Sequence, residues 1–175
     1  MSGHNKWSKI KHKKAATDAQ KSKIFGKIVR LIQVEAKKSG GNLESAGLRL
    51  AIEKANKANM PKDNIDRAIK KAAESGDQQE VLFEVYGPGG VGMIITGLTD
   101  NNNRTSQELK HILSKNGSSL GGSGSVSWNF SQNSDREWVP NTTISLNEED
   151  GEKLESLIES IEEQDDIQDV YINAE

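Results

Sequence analysis

Val81-Leu82-Phe83-Glu84-Val85-Tyr86-Gly87-Pro88-Gly89-Gly90 is where the chain changes its period. Val81, Phe83 and Val85 alternate with Leu82, Glu84 and Tyr86, the period of two that marks a strand. The glycine-rich tetrapeptide lacks the Lys and Ser/Thr of a phosphate loop, and a strand rather than a helix follows it. It therefore predicts a tight hairpin turn into a second, more buried strand, Val91 to Leu98, carrying Met93, Ile94 and Ile95.

Upstream of this stretch the period is helical. Ile24, Ile28 and Leu31, with Phe25, Val29, Ile32 and Ala36 alongside, share one face, and Lys23, Lys27, Arg30 and Lys37 lie opposite. Gly40-Gly41 ends that helix. A second helix is expected from about Leu43 to Ala58, with Leu48, Ala51, Ile52 and Ala55 inward. Pro61 opens a third, tolerated there because a first-turn N–H has no helical partner, and Gly76 stops it. Downstream, Asn101 to Lys115 reads as a helix and Gly121 to Gly124 as a flexible loop. Val126, Trp128 and Phe130 alternate as a third strand. Asn147 caps a helix with Leu154, Leu157, Ile158 and Ile161 inward, and Ile167 to Ile172 is the last strand. The fold expected is α+β: an N-terminal three-helix bundle over residues 1–76, then a ferredoxin-like α/β sandwich domain over residues 80–175.

The 175 residues carry a net charge of −3, which hides an asymmetry. Residues 1–76 hold 18 Lys+Arg against 7 Asp+Glu, whereas residues 77–175 hold 5 against 19. A net of +11 beside a net of −14 predicts a basic binding module joined to a domain with another task. Cysteine is absent, which excludes disulfides and thiolate metal sites. No run approaches the roughly 20 apolar residues that span a bilayer. The opening residues lack the apolar run of a secretory signal, so a cytoplasmic protein is expected.

The strongest candidate site is the basic arm Lys6, Lys9, Lys11, Lys13 and Lys14, with Trp7 and His12 interleaved, continued by Lys23, Lys27 and Arg30 on the first helix. Cations spaced along a surface bind phosphates because each contact releases condensed counterions. Trp7 has two readings: a hydrophobic staple beside Ile10, or a ring that stacks on an unpaired base. Asp100-Asn101-Asn102-Asn103-Arg104-Thr105, where a buried strand meets a helix, also has two. The Asx side chains cap the helix, or its N-terminus receives a phosphate with Arg104 as the charged partner. His4, His12 and His111 do not cluster, so no metal or other cofactor is expected. The ten acids from Glu148 to Asp166 alternate with an apolar stripe and read as a solvated helix face. With no nucleophile–base pair in view, neither an enzyme nor a small-molecule substrate is expected.

These segments together resemble the YebC family of bacterial and organellar proteins. Gly3-His4-Asn5-Lys6-Trp7-Ser8-Lys9-Ile10-Lys11-His12-Lys13-Lys14-Ala15 is similar to its N-terminal signature, and Asn59-Met60-Pro61-Lys62-Asp63-Asn64-Ile65 to its third helix. Tyr86-Gly87-Pro88-Gly89-Gly90-Val91 and Thr99-Asp100-Asn101 with Asn103-Arg104-Thr105 match its later motifs. The usual third domain, inserted after Trp128-Asn129-Phe130, is missing. Asn5 stands where Ser is common, and Leu31 where Glu commonly follows the Arg. The resemblance implies a non-enzymatic, nucleic-acid-binding regulatory role. Its usual form is DNA-directed transcription control, and the alternative is a translation factor or translational activator bound to ribosomal RNA and the ribosome.

Overall fold

The computed structural model describes residues 17–175, which form two compact units, residues 17–79 and residues 80–175. The first contains α1 (Asp18–Ser39), α2 (Ala46–Lys57) and α3 (Lys62–Lys70), followed by a short 3-10 turn, Ala72–Glu74. Thr17 starts α1 through a reciprocal cap. Its Oγ1 accepts from Gln20 N at 3.2 Å, and its own N–H donates to Gln20 Oε1 at 2.8 Å. At the other end Gly40 takes the left-handed conformation (φ 61°), and Gly41 N donates to Ala36 O at 2.8 Å.

The second helix begins later than its apolar pattern suggests. Ser45 takes the cap, accepting from Leu48 N at 3.4 Å, and this leaves Leu43 exposed. The third stops at Lys70, short of Gly76, because the chain tightens into the 3-10 turn, where Ser75 Oγ donates to Ala72 O at 2.6 Å. The core of this unit is five large side chains, Ile28, Ile32, Leu48, Met60 and Ile65, and five alanines: 36, 51, 55, 68 and 72. The alanines allow close helix approach. The large residues contribute most of the burial energy, about 1.5–3 kcal/mol each.

The second unit contains β1 (Gln79–Tyr86), β2 (Gly92–Thr99), α4 (Asn102–Lys115), β3 (Ser119–Leu120), β4 (Phe130–Gln132), β5 (Trp138–Pro140), α5 (Glu148–Glu162) and β6 (Ile167–Ile172). The main sheet runs β3-β1-β2-β6, which puts the β1–β2 hairpin at its centre. Gly87 N donates to Val91 O at 2.8 Å across that turn. β3 pairs antiparallel with β1, and β6 antiparallel with β2. The β2–β6 register shifts between Thr96 and Gly97. A Cβ at Gly97 would sit 2.5 Å from Asp166 O, so only glycine lets the two backbones approach there.

Val85, Met93 and Ile95 pack with Leu109 and Leu113 of α4 and Leu154, Leu157 and Ile161 of α5. Ile94 points the other way, against Val126 and Phe130, with Trp138 and Tyr171 beside them. Both faces of β2 are thus covered, which is why it reads as an unbroken apolar run. The layers are those of an α/β sandwich, with both helices sharing one core with the sheet.

The alternation at Val126, Trp128 and Phe130 does not make the sheet's third strand. Ser127–Asn129 is a 3-10 turn, β4 starts only at Phe130 and pairs with β5, and the main sheet's third strand in chain order is β3. The cause is Glu84. Its buried carboxylate accepts from Gly124 N at 2.6 Å, Val126 N at 3.0 Å and Ser127 N at 2.5 Å. These N–H groups are committed to a side chain and unavailable to a strand partner. The acidic run also needs one correction. Asp166 is not on a solvated helix face: it lies beyond α5 and is buried.

Candidate nucleic-acid interface

On α1 the positions of Lys23, Lys27 and Arg30 follow at i, i+4 and i+7, a single stripe about 10 Å long at 1.5 Å rise per residue. Packing of Ile28, Ile32 and Ala36 against α2 and α3 fixes which way the stripe faces. All three side chains are half-buried, not fully solvated as a free basic face would be. Lys37, one turn beyond Val34, is tied down. Its Nζ donates to Ser75 O at 2.9 Å and to Asp77 Oδ1 at 2.7 Å. The Lys37 ammonium holds the Asp77 carboxyl below its ordinary range. This clamp lays the chain from Ser75 onward along α1, beside Val34 and Arg30, and forms a recess lined by both. The arm residues Lys6, Trp7, Lys9, Lys11, His12, Lys13 and Lys14, together with His4, lie outside the described residues.

Arg104 belongs to the second unit. Asn101 Oδ1 accepts from Arg104 N at 3.1 Å, so the Asx side chain caps α4. The guanidinium is shared: Nη2 donates to Asp166 Oδ2 at 2.9 Å and to Asp100 Oδ1 at 2.8 Å. Those hydrogen bonds, Asp166 first, raise its hold on its proton above the ordinary value. Thr105 Oγ1 donates to the same Asp166 oxygen at 2.8 Å, with Thr99 beside it, and both threonines are fully buried. Asp166 thereby fastens the start of α4 to the chain that follows α5, and a phosphate at Arg104 would have to compete with two carboxylates already in place.

Sequence reasoning missed the Glu84 centre because its three donors lie 40 to 43 residues away, in a loop whose glycines read only as flexible. Burial pushes the Glu84 carboxyl up, but the N–H groups of Ser127, Gly124 and Val126 outweigh it and leave the group below its ordinary range. The loop also orients two exposed aromatic side chains. Tyr86 Oη and Trp128 Nε1 both donate to Ser125 O, at 2.6 Å and 2.8 Å. Among the described residues no three His, Asp or Glu side chains gather as a metal site, and no helix is long and apolar enough to cross a membrane.

A family profile described as the TACO1/YebC protein N-terminal domain matches residues 5–75, and one described as the TACO1/YebC second and third domain matches residues 78–135 and 131–174. The chain belongs to the TACO1/YebC family. A Thermotoga petrophila relative is 58% identical over 134 residues, 74% of this chain but 53% of its own length. The chain thus spans about half the length of this relative. A Kosmotoga olearia relative aligns at 40% identity over 239 positions, taking in all of this chain and 94% of the relative. That alignment is longer than the 175 residues here, so this TACO1/YebC chain lacks an internal segment its relative carries. Both relatives are named probable transcriptional regulatory proteins. A crystal structure of a conserved hypothetical protein from Aquifex aeolicus superposes with a TM-score of 0.81 at 34% identity, covering 97% of this chain and 96% of the other.

The described TACO1/YebC motifs fall on the features above. Asn59 to Ile65 is the entry to α3, Tyr86 to Val91 is the central hairpin, and Thr99 to Thr105 is the Asp166 network.

Proposed function

We propose that this chain is a non-enzymatic regulatory protein of the cytoplasm that binds nucleic acid through the basic arm and the α1 stripe, and that its target is DNA in transcription control. The carrying observation is the net charge of +11 over residues 1–76, with Lys23, Lys27 and Arg30 aligned on one helix. Lys6, Lys9, Lys11, Lys13 and Lys14 extend the same charge along the chain, and His12 adds a donor. The names of the relatives support the transcriptional reading. Arg104 is a weak candidate contact, since Asp100 and Asp166 already neutralise it.

A second reading, a translation factor on ribosomal RNA, is favoured by Trp7, whose place between Lys6 and Lys9 suits stacking on an unpaired base. Crosslinking in cells, followed by sequencing of the attached nucleic acid, separates the two. Enrichment of promoter DNA is the expected result. Enrichment of ribosomal RNA would replace the first reading by the second, and recovery of neither would overturn both.

A further inference from the structure

The second unit presents an aromatic pair that its own core does not use. Trp128 is 70% exposed and Tyr86 is 46% exposed. Their polar ends are already occupied, since both donate to Ser125 O, so only the ring faces remain for a partner. The loop that carries Trp128 is pinned by the Glu84 carboxylate through three N–H groups, which holds the pair in place before anything binds. Alternation along β1 puts Glu80, Leu82 and Tyr86 on the side of the sheet where Glu84 meets this loop, and Leu82 is exposed there too. On the same side lie Ile94 and its β6 partner Tyr171, with Asp169 two residues before it. The charges of Asp169 and Glu137 both reach Tyr171 and add to the effect of burial in pushing its hydroxyl above the ordinary value. This face thus combines exposed rings with the acids Glu80, Glu137 and Asp169, in a unit whose residues 80–175 hold 18 Asp+Glu against 5 Lys+Arg. Such a surface repels phosphates and suits a cationic segment with an apolar anchor.

The chain carries a segment of that chemistry. Residues 1–16 hold five lysines and no acid, with Trp7 between Lys6 and Lys9. Sixteen extended residues reach roughly 50 Å, several times the ~13 Å radius of gyration of a domain of about 100 residues. A tethered segment also acts at an effective concentration that a separate basic peptide lacks. We propose that this face seats the chain's own basic arm, with the Trp7 ring against Trp128 and Tyr86 and the arm lysines facing Glu80, Glu137 and Asp169. The docked arm is withheld from nucleic acid, so the acidic unit and the target compete for the same lysines. The docking goes beyond the proposed function, and only the competition rests on it.

The chain has no cysteine, so Asn5→Cys carries a single nitroxide label on the arm. NMR of the isotope-labelled full chain, at low salt and without nucleic acid, then reads where the label comes close. The indole N–H signal of Trp128, identified as the one missing in Trp128→Phe, should lose most of its intensity relative to the reduced label. The amides of α5, packed on the other side of the sheet, should lose much less. Salt at about 1 M, where the screening length is about 3 Å, should restore the signal. A Trp128 signal untouched by the label would overturn the proposal. So would stronger broadening on α5, which marks attraction to acids in general. Mixing tagged, unlabelled chain with untagged, isotope-labelled chain should leave Trp128 sharp, and equal broadening there would assign the seat to a second copy's arm instead. Trp128→Ser removes an exposed ring, and thermal melting checks that the variant folds. It should bind duplex DNA about three- to fivefold more tightly than the wild type, the effect of one aromatic pair on the free fraction of the arm. Unchanged affinity would overturn the competition. A wild-type chain that binds no duplex DNA would overturn the competition together with the proposed function, while the label still decides the docking.

Discussion

Raising the salt from 50 to 200 mM weakens binding of duplex DNA about a thousandfold, if roughly six phosphates are neutralised. The figure follows from counterion release. Each neutralised phosphate contributes about −0.9 to the slope of log K against log salt on a duplex and about −0.7 on a single strand. The available cations are the five arm lysines and Lys23, Lys27 and Arg30. Some of their charge is already engaged within the protein, since the three stripe residues are half-buried, so six contacts is a smaller number than eight cations allow. A single strand with the same six contacts weakens a few hundredfold over the same range. A titration series at four or five salt concentrations reads the slope directly. A flat response would mean that the basic half of the chain does not meet phosphate.

The second large effect is on stability. Glu84→Ala removes the acceptor of three backbone N–H groups, those of Gly124, Val126 and Ser127. A buried donor left unsatisfied costs about 1–3 kcal/mol, so the second unit should lose about 3 kcal/mol or more, even if water reaches part of the site. Glu84→Gln keeps one amide oxygen as acceptor and loses less. Urea unfolding followed by tryptophan fluorescence measures this, because Trp128 and Trp138 lie in that unit. A change within about 0.5 kcal/mol, the range of ordinary surface substitutions, would contradict the structural role.

The same group sets a pH dependence. The folded carboxyl is held below the unfolded value of about 4.3, so its contribution is present in full above that pH. It is lost as pH falls through the lower folded value. Stability should therefore drop below about pH 4 in the wild type, and less so in Glu84→Gln.

The elements legible in the sequence are those whose signal is local. The 3.6 period of α1, the hairpin at Gly87 to Gly90, the Asn147 cap, whose Oδ1 accepts from Asp150 N at 2.8 Å, and the Ile167–Ile172 strand all follow from residues near each other in the chain. What escaped was decided by distant partners. Glu84 reads as the polar residue of an alternating strand, yet it draws the backbone of a loop 40 residues on and breaks the strand expected at Val126 to Phe130. Asp166 is the last of ten acids and looks like the others. Only the meeting of α4 with the chain after α5 shows that it is buried against Thr99, Thr105 and Arg104. At the candidate interface the stripe of Lys23, Lys27 and Arg30 was readable from spacing. Neither its half-burial nor the Lys37 clamp was, since the partners of Lys37, Ser75 and Asp77, lie 38 and 40 residues away.

The central claim is that the α1 stripe meets nucleic acid. Its most direct test is the affinity of Lys23→Gln/Lys27→Gln/Arg30→Gln for duplex DNA at fixed salt, with circular dichroism showing that the helices persist. Gln removes the charge and leaves a shorter, neutral polar side chain that helices tolerate. Three lost phosphate contacts should lower the salt slope by about 3 and the affinity by a factor on the order of ten to a hundred. A folded triple variant that binds as tightly as the wild type, with the same slope, would place the binding surface elsewhere.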